Sequence, residues 1–364
     1  MDARTTWPAL LSALIRGDSL TADESEWAMN EIMEGAATPS QIAGFGVALR
    51  IKGTSVAEMT GLARSMLAHA TPIDLPGQLT DLVGTGGDGA RTVNVSTMGT
   101  IVAAAAGARM IKHGNRAASS ACGAADVLEA LGVVIDLPPA KTVELAAEVG
   151  VAFLFAPLYH PALRYAGPTR SELGVPTVFN VLGPVANPAR PAAQAVGVFD
   201  PRVGEIIAGV LAGRGCSALV FRGADGLDEL TTTAPSTLWV VHGGEVVQTE
   251  FAPSSLGLPE ASVADLRGGD ANHNAAVARA VLAGEHGPVR DIVLLNAAAA
   301  LAATAGVDGP DAVVPALAEG YARAAEAVDS GAASALLDRW IEVSRRLAPG
   351  LPTRLIRYGS DLGA

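Results

Sequence analysis

The sequence predicts an α/β protein in which a small all-helical N-terminal domain packs on a larger α/β domain with a mostly parallel central sheet. Three observations carry this. Helix-start signals crowd the segment up to residue 74. Beyond Leu79, short apolar runs alternate with alanine-rich helical stretches. Finally, 364 residues, 49% hydrophobic and 17% charged, suffice for about two domains with a substantial core.

The helical part is read from three capping boxes, Thr21 with Glu24, Thr38 with Gln41 and Ser55 with Glu58. In each, hydroxyl and carboxyl or amide groups satisfy each other's orphan amides. Pro39 fits the first turn of its helix, and Ile42, Phe45 and Leu49 recur at helical spacing as one apolar stripe. Residues 1–74 are assigned to this domain and 75–364 to the α/β domain. In the latter, Leu82-Val83, Ala108 to Ile111, Val133 to Ile135, Val151 to Phe155 and Ala218 to Phe221 are the clearest strand candidates. Pro157 to Arg170, rich in proline and basic residues, breaks the rhythm, so a segment near 160–190 is expected to rejoin the helical domain and leave a cleft. The run Ile292 to Val307 is mostly alanine and interrupted by Asn296, whereas a membrane span needs about 20 strongly apolar residues. It is read as a buried helix.

Composition excludes several functions. A net charge of -12 opposes broad nucleic-acid binding, which neutralises phosphates over a basic surface. Cys122 and Cys216 match neither a disulfide framework nor a zinc site, and Met1 to Trp7 lacks a signal-peptide pattern, so a reducing, cytoplasmic setting is expected.

The strand ending at Val83 runs into Gly84-Thr85-Gly86-Gly87-Asp88-Gly89, where backbone amides can approach a phosphate closely. The loop also satisfies G-x-G-x-x-G, but that dinucleotide reading fails twice. Arg91 to Val95 intervenes before any helix, and no acid lies between Asp88 and Asp126 to hold a ribose. Asn94-Val95-Ser96-Thr97 then offers caps to a helix expected to begin near Met98, whose N-terminus would attract an anion. The next strand ends in Lys112-His113-Gly114-Asn115-Arg116-Ala117-Ala118-Ser119-Ser120, a second set of donors. Between Gly89 and Ala125 the chain carries Arg91, Arg109, Lys112 and Arg116 and no acid, which points to a polyanionic ligand. A third strand end supplies Asp228 and Glu229. Adjacent carboxylates repel unless a cation lies between them, and magnesium takes one or two carboxylates plus water and phosphate oxygens. An exposed acidic turn is the competing reading of this pair.

Taken together, Asp81-Leu82-Val83-Gly84-Thr85-Gly86-Gly87-Asp88, Asn94-Val95-Ser96-Thr97, Lys112-His113-Gly114-Asn115-Arg116 and Asp228-Glu229-Leu230-Thr231 resemble the anthranilate phosphoribosyltransferases in order and spacing. The likeness extends over nearly the whole chain, through His160-Pro161, Arg170, Phe179 to Pro184, Gly268-Gly269-Asp270 and Leu295-Asn296-Ala297. It implies the nucleoside phosphorylase/phosphoribosyltransferase-like fold, a homodimer, magnesium, and transfer of a phosphoribosyl group from phosphoribosyl pyrophosphate to anthranilate in tryptophan biosynthesis. By position it implies that Gly84, Gly87, Asp88, Thr92, Asn94, Val95, Ser96, Thr97, Ala124 and the run Lys112 to Ser120 hold the phosphoribosyl donor. It further gives Ser96, Asp228 and Glu229 to metal, Gly84, Asn115 and Arg170 to anthranilate, and catalysis to Lys112, Asp228 and Glu229. Two departures stand out: Ala124 replaces a common serine, and Pro176 a common arginine. The nearest rivals are a pyrimidine nucleoside phosphorylase, which uses inorganic phosphate and needs no Asp-Glu metal pair, and a nucleic-acid-binding relative, which needs a basic surface.

Overall fold

The computed structural model describes residues 5–117 and 122–348. Four helices lead: α1 (Trp7–Ile15), α2 (Ala22–Met33), α3 (Pro39–Lys52) and α4 (Val56–Ala68). All three capping boxes form, with the reciprocal bonds of Thr21 and Glu24, Thr38 and Gln41, and Ser55 and Glu58 in place. The stripe of Ile42, Phe45 and Leu49 is buried in the same core as Met29, Ile32 and Met59.

The sheet has seven strands: β1 (Leu79–Gly84), β2 (Arg109–Gly114), β3 (Val151–Phe155), β4 (Ala193–Gly197), β5 (Ser217–Gly223), β6 (Ser236–His242) and β7 (Glu245–Phe251). Their order is β3-β2-β1-β4-β5-β6-β7. The first five are parallel, and β6 and β7 complete the sheet antiparallel, so it is mostly parallel as expected. Alternate residues of the inner strands serve opposite faces. Leu82, Ala195, Leu219 and Phe221 enter one core; Val83, Val196, Val220 and Trp239 enter the other.

The remaining helices are α5 (Val95–Ala105), α6 (Ala124–Leu131), α7 (Pro139–Val149), α8 (Ala156–Tyr159), α9 (Gly167–Leu173), α10 (Pro201–Gly213), α11 (Ala271–Leu282), α12 (Pro288–Ala305), α13 (Val313–Asp329) and α14 (Ala332–Leu347). The first core lies under α5 to α7 and α11 to α14, while the second joins the N-terminal helices and α10 to the opposite sheet face. Ala166, Val178, Phe179, Leu182 and Val185 belong to that second core, and α9 packs on α3. Helix α12 is long and apolar enough to cross a membrane, but 72% of it is buried here, between α5 and α13.

Three expectations are corrected. Val133 to Ile135 is not a strand: the seven-stranded sheet ends at β3 on one side and β7 on the other, and the Val134 N–H donates to Ser344 Oγ rather than to a neighbouring strand. Its apolar character comes from Val133 and Ile135 both being buried. Helix α5 begins at Val95, three residues before Met98. Asn94 is its N-cap by position but caps nothing with its side chain, which donates to the Cys122 carbonyl and accepts from Asn274. Strands β4, β6 and β7 were not anticipated. The last two form a hairpin whose turn, Gly243-Gly244, has positive φ at both residues, as tight antiparallel connections require.

Candidate active site

Strand order places a switch point between β1 and β4, because successive strands run outward from β1 to β3 on one side and from β4 on the other. In open α/β sheets ligands bind beyond the carboxyl ends of strands at such a point. Both strands end there in glycine, Gly84 and Gly197, and the reason is steric. A Cβ on Gly84 would lie 2.3 Å from Asp228 Oδ2, and one on Gly197 would lie 1.6 Å from the Asp228 carbonyl oxygen. The loop after β5 is thereby pressed into the crevice, and the Gly86 N–H donates to Asp228 Oδ2 at 2.7 Å.

Asp228 and Glu229 are buried, 9% and 8% exposed, which rules out the exposed acidic turn. Burial, reinforced by the neighbouring Asp88 carboxylate, pushes Asp228 up to about 7. Burial and the Asp228 charge push Glu229 well above the usual carboxylate range, although its carboxylate accepts the Ser96 backbone N–H. Opposite stands Lys112, at 2% exposure, whose ammonium donates to the Leu82 carbonyl at 2.6 Å and to Ser96 Oγ at 3.1 Å. Its desolvation lowers the ammonium's proton affinity, and Asp81, Glu229 and Asp228 pull it back up. Among the described residues no three His, Cys, Asp or Glu side chains form a metal-ligating group. The donor set here is two acids and a hydroxyl, which suits an ion that fills its remaining positions with water and phosphate oxygens.

Other residues of the expected site divide by position. Asp88 joins the acidic cluster and accepts the Ala90 N–H, while Gly87 packs against Phe199. Thr92 is stapled by a bridge to Arg267, which explains Gly268: a Cβ there would meet the Thr92 carbonyl at 2.7 Å. Val95 and Thr97 point into the interior, and the Thr97 hydroxyl has no partner. Gly114 abuts Phe153 and Ala124, and exposed Asn115 accepts the Arg116 N–H. Asp126 accepts N–H bonds from Ala117 and Gly123, tying the two ends of the donor loop together. Ala118, Ser119 and Ser120 lie outside the described residues.

The dense basic stretch does not converge as its spacing suggested. Arg109 opens β2, at the opposite end from the site, and Arg116 is held by Asp126 and Glu129 of α6. The two acids lie just past the acid-free window, and one α-helical turn brings both to the guanidinium. His113 alternates with Lys112 and so faces the other side of the sheet, where its ring meets His160 edge-on at 5.1 Å and approaches the Gly183 carbonyl. Burial lowers His113 to about 3 and His160 to about 4, so both rings are neutral. His160, buried and held at Nε2 by the Ala186 carbonyl, is a polar group that sequence reasoning touched only through the family likeness.

Arg170, on α9, lies over the Phe179 ring at 5.6 Å, and burial lowers its proton affinity. Among the described residues no carboxylate pairs with it, Glu172 included.

Residues 8–70 match the helical bundle domain, and residues 76–334 the α/β domain, of a glycosyl transferase family. The chain is a two-domain glycosyl transferase of that family. Within it, an anthranilate phosphoribosyltransferase of Thermobifida fusca is 62% identical over 346 residues, covering 95% of this chain and 99% of the relative. The crystal structure of the Thermus thermophilus enzyme aligns with a TM-score of 0.85 at 41% identity, over 92% of this chain and 99% of that one. The Saccharomyces cerevisiae enzyme, in complex with PRPP and Mg, aligns at 0.84 and 27% identity, over 94% and 99%. The chain belongs to the anthranilate phosphoribosyltransferases.

Proposed function

We propose that the chain transfers the phosphoribosyl group of phosphoribosyl pyrophosphate to anthranilate, giving N-(5-phosphoribosyl)anthranilate and pyrophosphate in tryptophan biosynthesis. The observation that carries this is the buried Asp228–Glu229 pair, facing Lys112 and the first turn of α5 at the switch point. A pair of acids that burial penalises this strongly calls for a cation, and a phosphorylase working on inorganic phosphate needs none there. Asp228, Glu229 and Ser96 would hold magnesium, which when bound neutralises the departing pyrophosphate. Gly84, Gly87, Asp88, Thr92, Asn94 and the Lys112 to Ser120 loop would enclose the donor. For Arg116 and His113 only the backbone suits this role.

The chemistry follows from these positions. The amine of anthranilate attacks the anomeric carbon as the bond to pyrophosphate oxygen breaks, through an oxocarbenium-like state, and the nitrogen then releases one proton. Negative charge grows on the leaving group, where Lys112 and loop amides are already fixed in place and need no reorganisation. An aniline-type amine is neutral near pH 7, so no base is required before attack. Arg170 binds the anthranilate carboxylate, with Asn115 and Gly84 alongside, which aligns the nitrogen for displacement. In this reading residues 1–74, with the segment near 160–190, form the acceptor side of the cleft and residues 75–364 the donor side. The family resemblance further implies a cytoplasmic homodimer.

Incubation with anthranilate, phosphoribosyl pyrophosphate and magnesium, following loss of anthranilate, tests the function. Consumption that depends on all three is expected. Cleavage of a pyrimidine nucleoside by inorganic phosphate, with anthranilate untouched, would overturn it.

A further inference from the structure

Between Ile292 and Ala303, helix α12 is buried and carries one polar side chain, Asn296, at 0% exposure. An amide in such surroundings is costly unless its hydrogen bonds are made. Here they are made, two of the three to Leu230. Asn296 Oδ1 accepts the Leu230 N–H at 3.0 Å, and Nδ2 donates to the Leu230 carbonyl at 2.9 Å and to the Ile292 carbonyl at 2.9 Å. Both peptide groups flanking Leu230 are gripped, and the first of them joins Leu230 to Glu229.

The same helix packs against α5, where a Cβ on Gly99 would come within 3.4 Å of the Ala297 nitrogen. Helix α5 carries Ser96 in its first turn, and the Ser96 N–H reaches the Glu229 carboxylate. One rigid element therefore touches both sides of the site: the acidic loop through Asn296, and the serine-bearing helix through close packing at Ala297. An apolar residue at 296 would fill the core equally well but would leave both Leu230 groups unpartnered.

We propose that Asn296 is a positioning residue that sets the Asp228–Glu229 loop at the separation from Ser96 a divalent cation requires. This rests on the metal reading of those three residues.

Mn2+ serves as the probe, with its binding to the full chain followed by electron paramagnetic resonance in the presence of phosphoribosyl pyrophosphate. Wild type is measured first; if it binds no Mn2+, the metal reading fails and the positioning role falls with it. Given binding, Asn296→Ala that retains its circular dichroism spectrum is expected to weaken Mn2+ roughly tenfold or more, the scale typical of residues that orient metal ligands. Its Michaelis constant for anthranilate should stay near wild type. Leu301→Ala, a cavity on the same helix, should lower the melting temperature and leave Mn2+ affinity unchanged. Wild-type Mn2+ affinity in folded Asn296→Ala, or an equal loss in Leu301→Ala, would overturn the proposal. If Asn296→Ala does not fold, Asn296→Leu, which keeps the side-chain volume and removes both partners of Leu230, is judged by the same two outcomes.

Discussion

Arg170→Ala separates the acceptor from the donor. In the structure the guanidinium is spent on nothing ionic: its contact is the Phe179 ring at 5.6 Å, and burial already disfavours its charge. Truncation should therefore cost the fold about 2 kcal/mol, the scale of a desolvated aromatic contact, together with some packing of the side-chain stem. Toward anthranilate the loss is larger, because a charge-assisted hydrogen bond contributes about 1.5–3 kcal/mol. At about 1.4 kcal/mol per factor of ten, the Michaelis constant for anthranilate should rise roughly tenfold to hundredfold. Steady-state kinetics, varying each substrate at saturating levels of the other, should show the constant for phosphoribosyl pyrophosphate near wild type. Arg170→Lys should recover part of the loss, since an ammonium cannot form the two parallel bonds of a guanidinium. Equal effects on both substrates, or none on anthranilate, would refute the reasoning and return Arg170 to a packing role beside Phe179.

Replacing Asp228 and Glu229 together by their amides should abolish most activity while leaving the melting temperature equal or higher, because two desolvated acids are relieved; full activity across a magnesium titration would contradict this. The pH dependence has a definite sign. With Asp228 raised to about 7, its carboxyl is protonated below that pH, so the magnesium concentration giving half-maximal rate should fall as pH rises from about 5 to 7 and level off above. Without metal, the same shift makes the folded state hold a proton that the unfolded chain releases near 4, so this site's contribution to stability is lost as pH rises through about 7. A half-saturating concentration flat across that range would count against Asp228 as a ligand. Gly84→Ala tests the close approach: its new methyl would sit 2.3 Å from Asp228 Oδ2, so magnesium-dependent activity should drop more than the melting temperature does.

What was legible in the sequence is what local chemistry decides. The capping boxes at Thr21, Thr38 and Ser55 formed because each completes its bonds within four residues, whatever the rest of the chain does. The Gly84 loop was legible because its glycines meet two demands: Gly84 a contact too close for a side chain, and Gly86, Gly87 and Gly89 positive φ. The hairpin of β6 and β7 is legible too, since Gly243-Gly244 between Trp239-Val240-Val241 and Val246-Val247 is a strong short-range signal. Strand β4, Ala193–Gly197, offered no such mark: its small residues follow from crowding between β1 and β5, a constraint that exists only after the sheet is assembled.

The site shows the same division at closer range. Counting bases along residues 89–125 assigned Arg91, Arg109, Lys112 and Arg116 to one ligand, yet sequence distance says nothing about which end of a strand a residue occupies or which face it serves. Arg109 is at the wrong end of β2, His113 is on the wrong face, and Arg116 is neutralised by acids that follow the window. Of the residues on β2, Lys112 alone combines the right end with the right face, and its burial beside Leu82 and Ser96 is what gives it a fixed position. Asp228 and Glu229 were readable as a candidate pair at a strand end, but adjacent acids in water, such as Asp23 and Glu24, need no cation, and only the fold shows that this pair is buried. Asn296 was not readable as part of the site, because nothing in its own segment points 66 residues back to Leu230; only the packed core connects them. A site assembled at a switch point thus announces its charged groups in sequence and conceals the groups that hold them in place.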